Sequence, residues 1–77
     1  MTALQSMTIP MSLKPRISGM FERYDHRMGC LAIRKGEHWY IAVPNGQGIR
    51  CKSEEEARND AMFLNLTATD EERLSWR

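Results

Sequence analysis

The chain has 77 residues, two cysteines, and 11 Lys and Arg against 10 Asp and Glu, for a formal net charge of +1. That length supplies one small domain with one core. Near-neutrality excludes both the dense cationic coat of a sequence-independent nucleic-acid binder and an acidic mimic of DNA, so any charge-based function must come from local segregation. A chain of this size buries only roughly 60% of its unfolded surface, so a homodimer or a partner that covers apolar area is expected. Two cysteines are too few for a disulfide-stapled scaffold.

Residues 1–16 contain Pro10 and Pro15 and no sustained period, and they read as an extended N-terminal arm. The first ten residues lack the cationic start and apolar run of a signal peptide, and nothing reaches the about 18 apolar residues of a membrane span, so a cytoplasmic protein without membrane contact is expected. Met7, Met11 and Met20 are alternative starts of the folded unit, which is expected to be a single α+β domain over 17–77.

Ile17 to Tyr24 forms a first candidate strand, with Phe21 and Tyr24 as its bulky members and Gly19 as its weak point. Tyr24-Asp25-His26-Arg27 holds groups capable of acid and base work, but consecutive residues rarely converge on one substrate, and it reads as a polar turn. Met28 to Arg34 suits a second strand, and Lys35-Gly36-Glu37 the next turn. His38 to Val43 concentrates Trp39, Tyr40, Ile41 and Val43 and is the clearest strand in the chain. Asn45-Gly46 signals a hairpin that returns through Gly48 to Lys52. Gly46 and Gly48 precede a strand rather than a helix, so they cradle no phosphate.

Ser53-Glu54-Glu55-Glu56 has the form of a capping box and opens a helix whose inward stripe is Ala57, Ala61 and Leu64. Met62, Phe63 and Leu66 widen its apolar girth, which predicts that this end is covered from more than one side. Thr69-Asp70-Glu71-Glu72 repeats the cap before a short terminal helix ending at Leu74 and Trp76, with Trp76 packing on the first helix. The fold class is therefore α+β, a three- to four-stranded antiparallel meander covered on one face by a C-terminal helix.

Hairpin register decides which residues share a face, because cross-strand partners point to the same side. A three-residue loop at 35–37 pairs Ile33 with Trp39 and Leu31 with Ile41, whereas a two-residue loop at Gly36-Glu37 pairs Arg34 with Trp39; the first collects more apolar residues. A five-residue loop from Pro44 to Gly48 pairs Val43 with Ile49 and Ile41 with Cys51. The inward set is then Leu31, Ile33, Trp39, Ile41, Val43, Ile49 and Cys51. The outward set is Cys30, Ala32, Arg34, His38, Tyr40, Ala42, Arg50 and Lys52, with no carboxylate, while the acids gather on the helices.

Arg34, His38, Tyr40, Arg50 and Lys52 are the candidate binding face. Arg and Lys neutralise phosphate and tyrosine stacks on bases, and Tyr and Arg also dominate protein contacts. His26, Cys30, His38 and Cys51 match no zinc-ligand spacing, and the register separates the cysteines, so neither a metal site nor a disulfide is expected. No catalytic set and no cofactor motif is present.

From His38 to Ala57, the order of aromatic strand, Asn-Gly turn, basic strand and capped helix resembles the arm-type DNA-binding domains of phage integrases and related AP2-like domains. That resemblance implies a sheet face in the major groove, with Arg34, Tyr40, Arg50 and Lys52 facing it. The chain is less rich in Lys and Arg than those domains, and no catalytic domain follows. Its size and lack of chemistry also resemble the small stand-alone accessory proteins of phages and mobile elements, including anti-CRISPR and other host-inhibiting proteins. These likenesses imply a non-enzymatic binder of a host protein or nucleoprotein complex, such as a CRISPR or other defence complex, with a DNA-binding module as the alternative.

Overall fold

The computed structural model describes residues 14–77. The expected arm lies outside the described residues except for its last three. A four-stranded antiparallel sheet is built from β1 (Arg16–Ile17), β2 (Leu31–Lys35), β3 (His38–Ala42) and β4 (Gly48–Cys51), in the spatial order β1-β4-β3-β2. The helices α1 (Glu54–Thr67) and α2 (Asp70–Ser75) follow, and α1 packs on one face of β2, β3 and β4. This is the α+β meander that the patterning predicts.

The caps form as the sequence indicates. Ser53 accepts the Glu56 backbone N–H at 3.2 Å and Thr69 accepts that of Glu72 at 3.1 Å. Glu56 does not complete a capping box; its carboxylate takes the Lys52 backbone N–H and the Lys14 ammonium instead. Ala57, Ala61 and Leu64 are buried, and the small size of the two alanines lets the helix lie close over Ile41, Val43 and Ile49. Trp76 joins the same cluster.

The segment expected as a strand from Ile17 to Tyr24 is strand only at Arg16–Ile17. Gly19 turns the chain at a φ of 71°, and the Phe21 and Tyr24 backbone N–H groups then bond Gly46 O and Pro44 O. The bulky side chains that suggest a strand serve to cover the sheet instead. Ala42 is fully buried although it faces away from α1, with Tyr24 Oη 2.8 Å from its carbonyl.

The β2–β3 register differs from the expected one. Ile33 pairs with Tyr40 and Arg34 with Trp39, so the loop is the two-residue Gly36-Glu37. Gly36 has a φ of 65°, which suits the primed turns whose twist matches the strands. The whole of β2 is thereby inverted. Cys30, Ala32 and Arg34 share the side of Trp39 and Ile41, while Leu31, Ile33 and Lys35 face away from α1. Counting apolar residues failed because the far face is itself partly covered, so Leu31 and Ile33 are half-buried there. Between β3 and β4, Ile41 pairs with Ile49 and Trp39 with Cys51, two residues from the expected register. That shift has even parity, so Trp39, Ile41, Ile49 and Cys51 still face α1 and Tyr40 and Arg50 still face away. Cys30 and Cys51 therefore share a face rather than lying on opposite ones, and both are free thiols.

Candidate functional site

The sheet face away from α1 carries an aromatic row. Tyr40 packs edge-on against Phe21, with ring centroids 6.0 Å apart, and against His38, at 6.4 Å. Lys35 lies over the Phe21 ring at 5.2 Å and donates to Met20 O at 2.9 Å. At the other end, Arg50 Nη2 lies 3.2 Å from His38 Nδ1. Cross-strand pairing of Tyr40 with Arg50, and of Ile33 with Tyr40, fixes this arrangement on rigid backbone.

Of the residues expected to form a binding face, His38, Tyr40 and Arg50 come together. Lys52 lies just beyond β4, exposed, where its charge contributes to the lowered pKa of Glu56 on the helix. Arg34 does not belong to the face: the β2 inversion places it on the α1 side, and its Nε donates to Gly36 O at 3.1 Å. Phe21, Ile33 and Lys35 take its place. The signal for Ile33 and Lys35 was the glycine at the first position of a two-residue turn; Phe21 follows instead from the turn at Gly19.

The acids are segregated as the sequence suggests, with Glu54, Glu55 and Glu56 in the first turn of α1 and Asp70, Glu71 and Glu72 in that of α2. Lys14 crosses to this side and bridges Glu56 at 2.9 Å and Asp60 at 3.0 Å. Cys51 adds a sulfur to these carboxylates within 4.8 Å, the spacing of a cation site. The Lys14 ammonium already binds both carboxylates, and burial pushes the Cys51 thiol up to about 11, so it stays protonated. Burial does the same to Cys30.

The hydrogen bond from Lys14 is the main cause that lowers the Glu56 pKa. A carboxyl held below its unfolded value, near about 4.3, contributes stability above that value that is lost as pH falls through the folded pKa. Thermal melts between pH 6 and 3 are accordingly expected to fall less steeply for Lys14→Met than for the wild type. Identical slopes would place Lys14 away from Glu56.

Compared with protein-family models, curated proteins and solved structures, the chain matches none. Among the described residues, no helix is long and apolar enough to cross a membrane.

Proposed function

We propose that this is a non-enzymatic binding protein that inhibits or modulates a host protein complex by occupying an acidic surface, in the manner of small proteins encoded by phages and mobile elements. The observation that supports this reading most is the aromatic row Phe21–Tyr40–His38 flanked by Lys35 and Arg50. Rigid aromatic and arginine side chains at the centre of a patch are the groups that carry protein contact energy. The placement of Ile33 on this face adds apolar area that a phosphate backbone does not use.

A DNA-binding module is the second reading. It is favoured by the cations Lys35 and Arg50, with Lys52 at the margin, on strands that carry no carboxylate on this face.

The test pairs a pull-down of the tagged chain from nuclease-treated host lysate with a gel shift on duplex DNA at low and moderate salt. A stoichiometric protein partner whose binding survives moderate salt supports the first reading. A shift that weakens steeply with salt, without a protein partner, replaces it with the second. Tyr40→Ala combined with Arg50→Ala is expected to weaken binding at least about 30-fold under either reading. Glu71→Ala, in the exposed first turn of α2 and outside this face, is expected to leave it unchanged. The reverse pattern would exclude this face.

A further inference from the structure

β2 is an edge strand, and its hydrogen-bonding groups are not all spoken for. In a two-residue hairpin the residues flanking the turn exchange backbone bonds, and alternate residues then point outward. Leu31, Ile33 and Lys35 therefore bond β3, and Ala32 and Arg34 turn their N–H and C=O groups to the open edge. Among the described residues, neither makes a backbone bond outside the sheet.

At Cys30 the edge is closed by a side chain. Asn65 of α1 accepts the Cys30 N–H at 2.7 Å and donates to its carbonyl at 2.9 Å, as the next strand would. The open edge is thus limited to two residues. Beside them, between β2 and α1, runs a groove of about 440 Å³ lined by Ala32, Ala61, Met62, Arg58 and Asn65. Met62 is 56% exposed on its rim. Natural sheets cover, charge or pair such edges.

We propose that an extended acidic segment of a partner protein adds to β2 as a fifth strand, antiparallel, between β2 and α1. Pairing with Ala32 and Arg34 supplies four backbone bonds. The partner residues opposite these two point toward α1, as Ala32 and Arg34 do. Opposite Ala32 there is space over a methyl group beside Ala61 and Met62, which suits an apolar side chain. Opposite Arg34, which has no carboxylate partner among the described residues, an acid is complementary; Arg58 in the same groove is already paired with Glu54. Because the strand runs antiparallel, the segment reads acid-x-apolar.

A second copy of this chain does not fit. The register that satisfies both open residues pairs Ala32 of one copy with Arg34 of the other about Ile33. It gathers Arg34 and Arg58 from both copies on one face, four guanidiniums against the two Glu54 carboxylates that pair Arg58. This edge is separate from the aromatic face, so the two proposals stand or fall independently.

The test is amide NMR of the full chain titrated with a capped peptide, Thr-Thr-Glu-Thr-Val-Thr-Ser, and with the same peptide carrying Lys for Glu. The Ala32 and Arg34 amides are expected to shift and gain exchange protection, while those of Ile33 and Lys35, already bonded, change little. The Lys peptide is expected to bind at least about tenfold more weakly, and Arg34→Glu to reverse that preference. Ala32→Pro removes one outward N–H at a position where an edge strand tolerates proline, and is expected to weaken binding at least about tenfold. Shifts confined to His38, Tyr40 and Arg50, equal binding of both peptides, no shift at millimolar peptide, or self-association that protects Ala32 and Arg34 without peptide would each overturn the proposal.

Discussion

Replacing Trp76 with alanine is expected to lower the unfolding free energy by about 3 to 5 kcal/mol, the range for deleting a buried aromatic. Trp76 is 3% exposed and packs into the cluster of Ile41, Val43, Ile49, Ala57 and Leu64. No residue of α2 itself is buried, so Trp76 at its C-cap is the apolar anchor that holds this helix to the domain. The remaining ties among the described residues are polar and exposed: Arg73 to the Asn65 carbonyl, Arg23 to the Arg77 carbonyl at 2.7 Å, and the Asn45 amide to Ser75 O at 3.3 Å. Exposed bonds of this kind contribute about 1 kcal/mol or less each. A domain of this length has a total stability of about 4 to 12 kcal/mol, so the truncation removes a large share of it. Urea unfolding followed by circular dichroism measures the loss. Leu74→Ala is the control: Leu74 is 57% exposed, and its removal is expected to change stability by less than about 0.5 kcal/mol. A Trp76→Ala protein within 1 kcal/mol of the wild type, on that same measurement, would remove Trp76 from the core.

The helical part of the chain was legible because its signals are local. Ser53 and Thr69 cap the helices they precede, and the spacing of Ala57, Ala61 and Leu64 marks the buried stripe. The exposed Met62, Phe63 and Leu66 are the exception, since nothing in the described residues covers them as their apolar character suggests. The sheet was harder because register is a tertiary choice. At Gly36-Glu37 two loops compete, and the one with fewer apolar residues on the helix side wins for three reasons. Its glycine fits a primed turn, Cys30 and Ala32 are small enough for α1 to approach, and Tyr24 and Phe21 shelter the face to which Leu31 and Ile33 are sent. That last element was illegible as long as Ile17 to Tyr24 read as a strand. The candidate face survives in the half that depends on the β3–β4 hairpin, where the misplaced register had the right parity. It fails at Arg34, the member that depended on β2.

The same junction of β2 and α1 sets the second large effect. Gly29→Ala is expected to cost about 3 to 4 kcal/mol, although only one methyl group is added. Gly29 has φ 72° and ψ −168°, a combination that belongs almost exclusively to glycine and costs a side-chain-bearing residue about 1 to 3 kcal/mol. The new Cβ would also stand 2.6 Å from Asn65 Oδ1, so the carboxamide must leave the position from which it bonds both backbone groups of Cys30. An unmade bond at a part-buried group adds about 1 to 3 kcal/mol. Gly36→Ala separates the two causes: its φ is 65°, but nothing lies within 4 Å of the added Cβ, so only the backbone term of about 1 to 2 kcal/mol is expected. Asn65→Ala alone is expected to cost about 2 kcal/mol by orphaning the Cys30 groups. Because Gly29→Ala already displaces that amide, the double variant should be less destabilised than the sum of the two singles by about 1 kcal/mol. Strict additivity in urea melts would mean that the Asn65 amide does not close the β2 edge, and the open edge would then extend to Cys30.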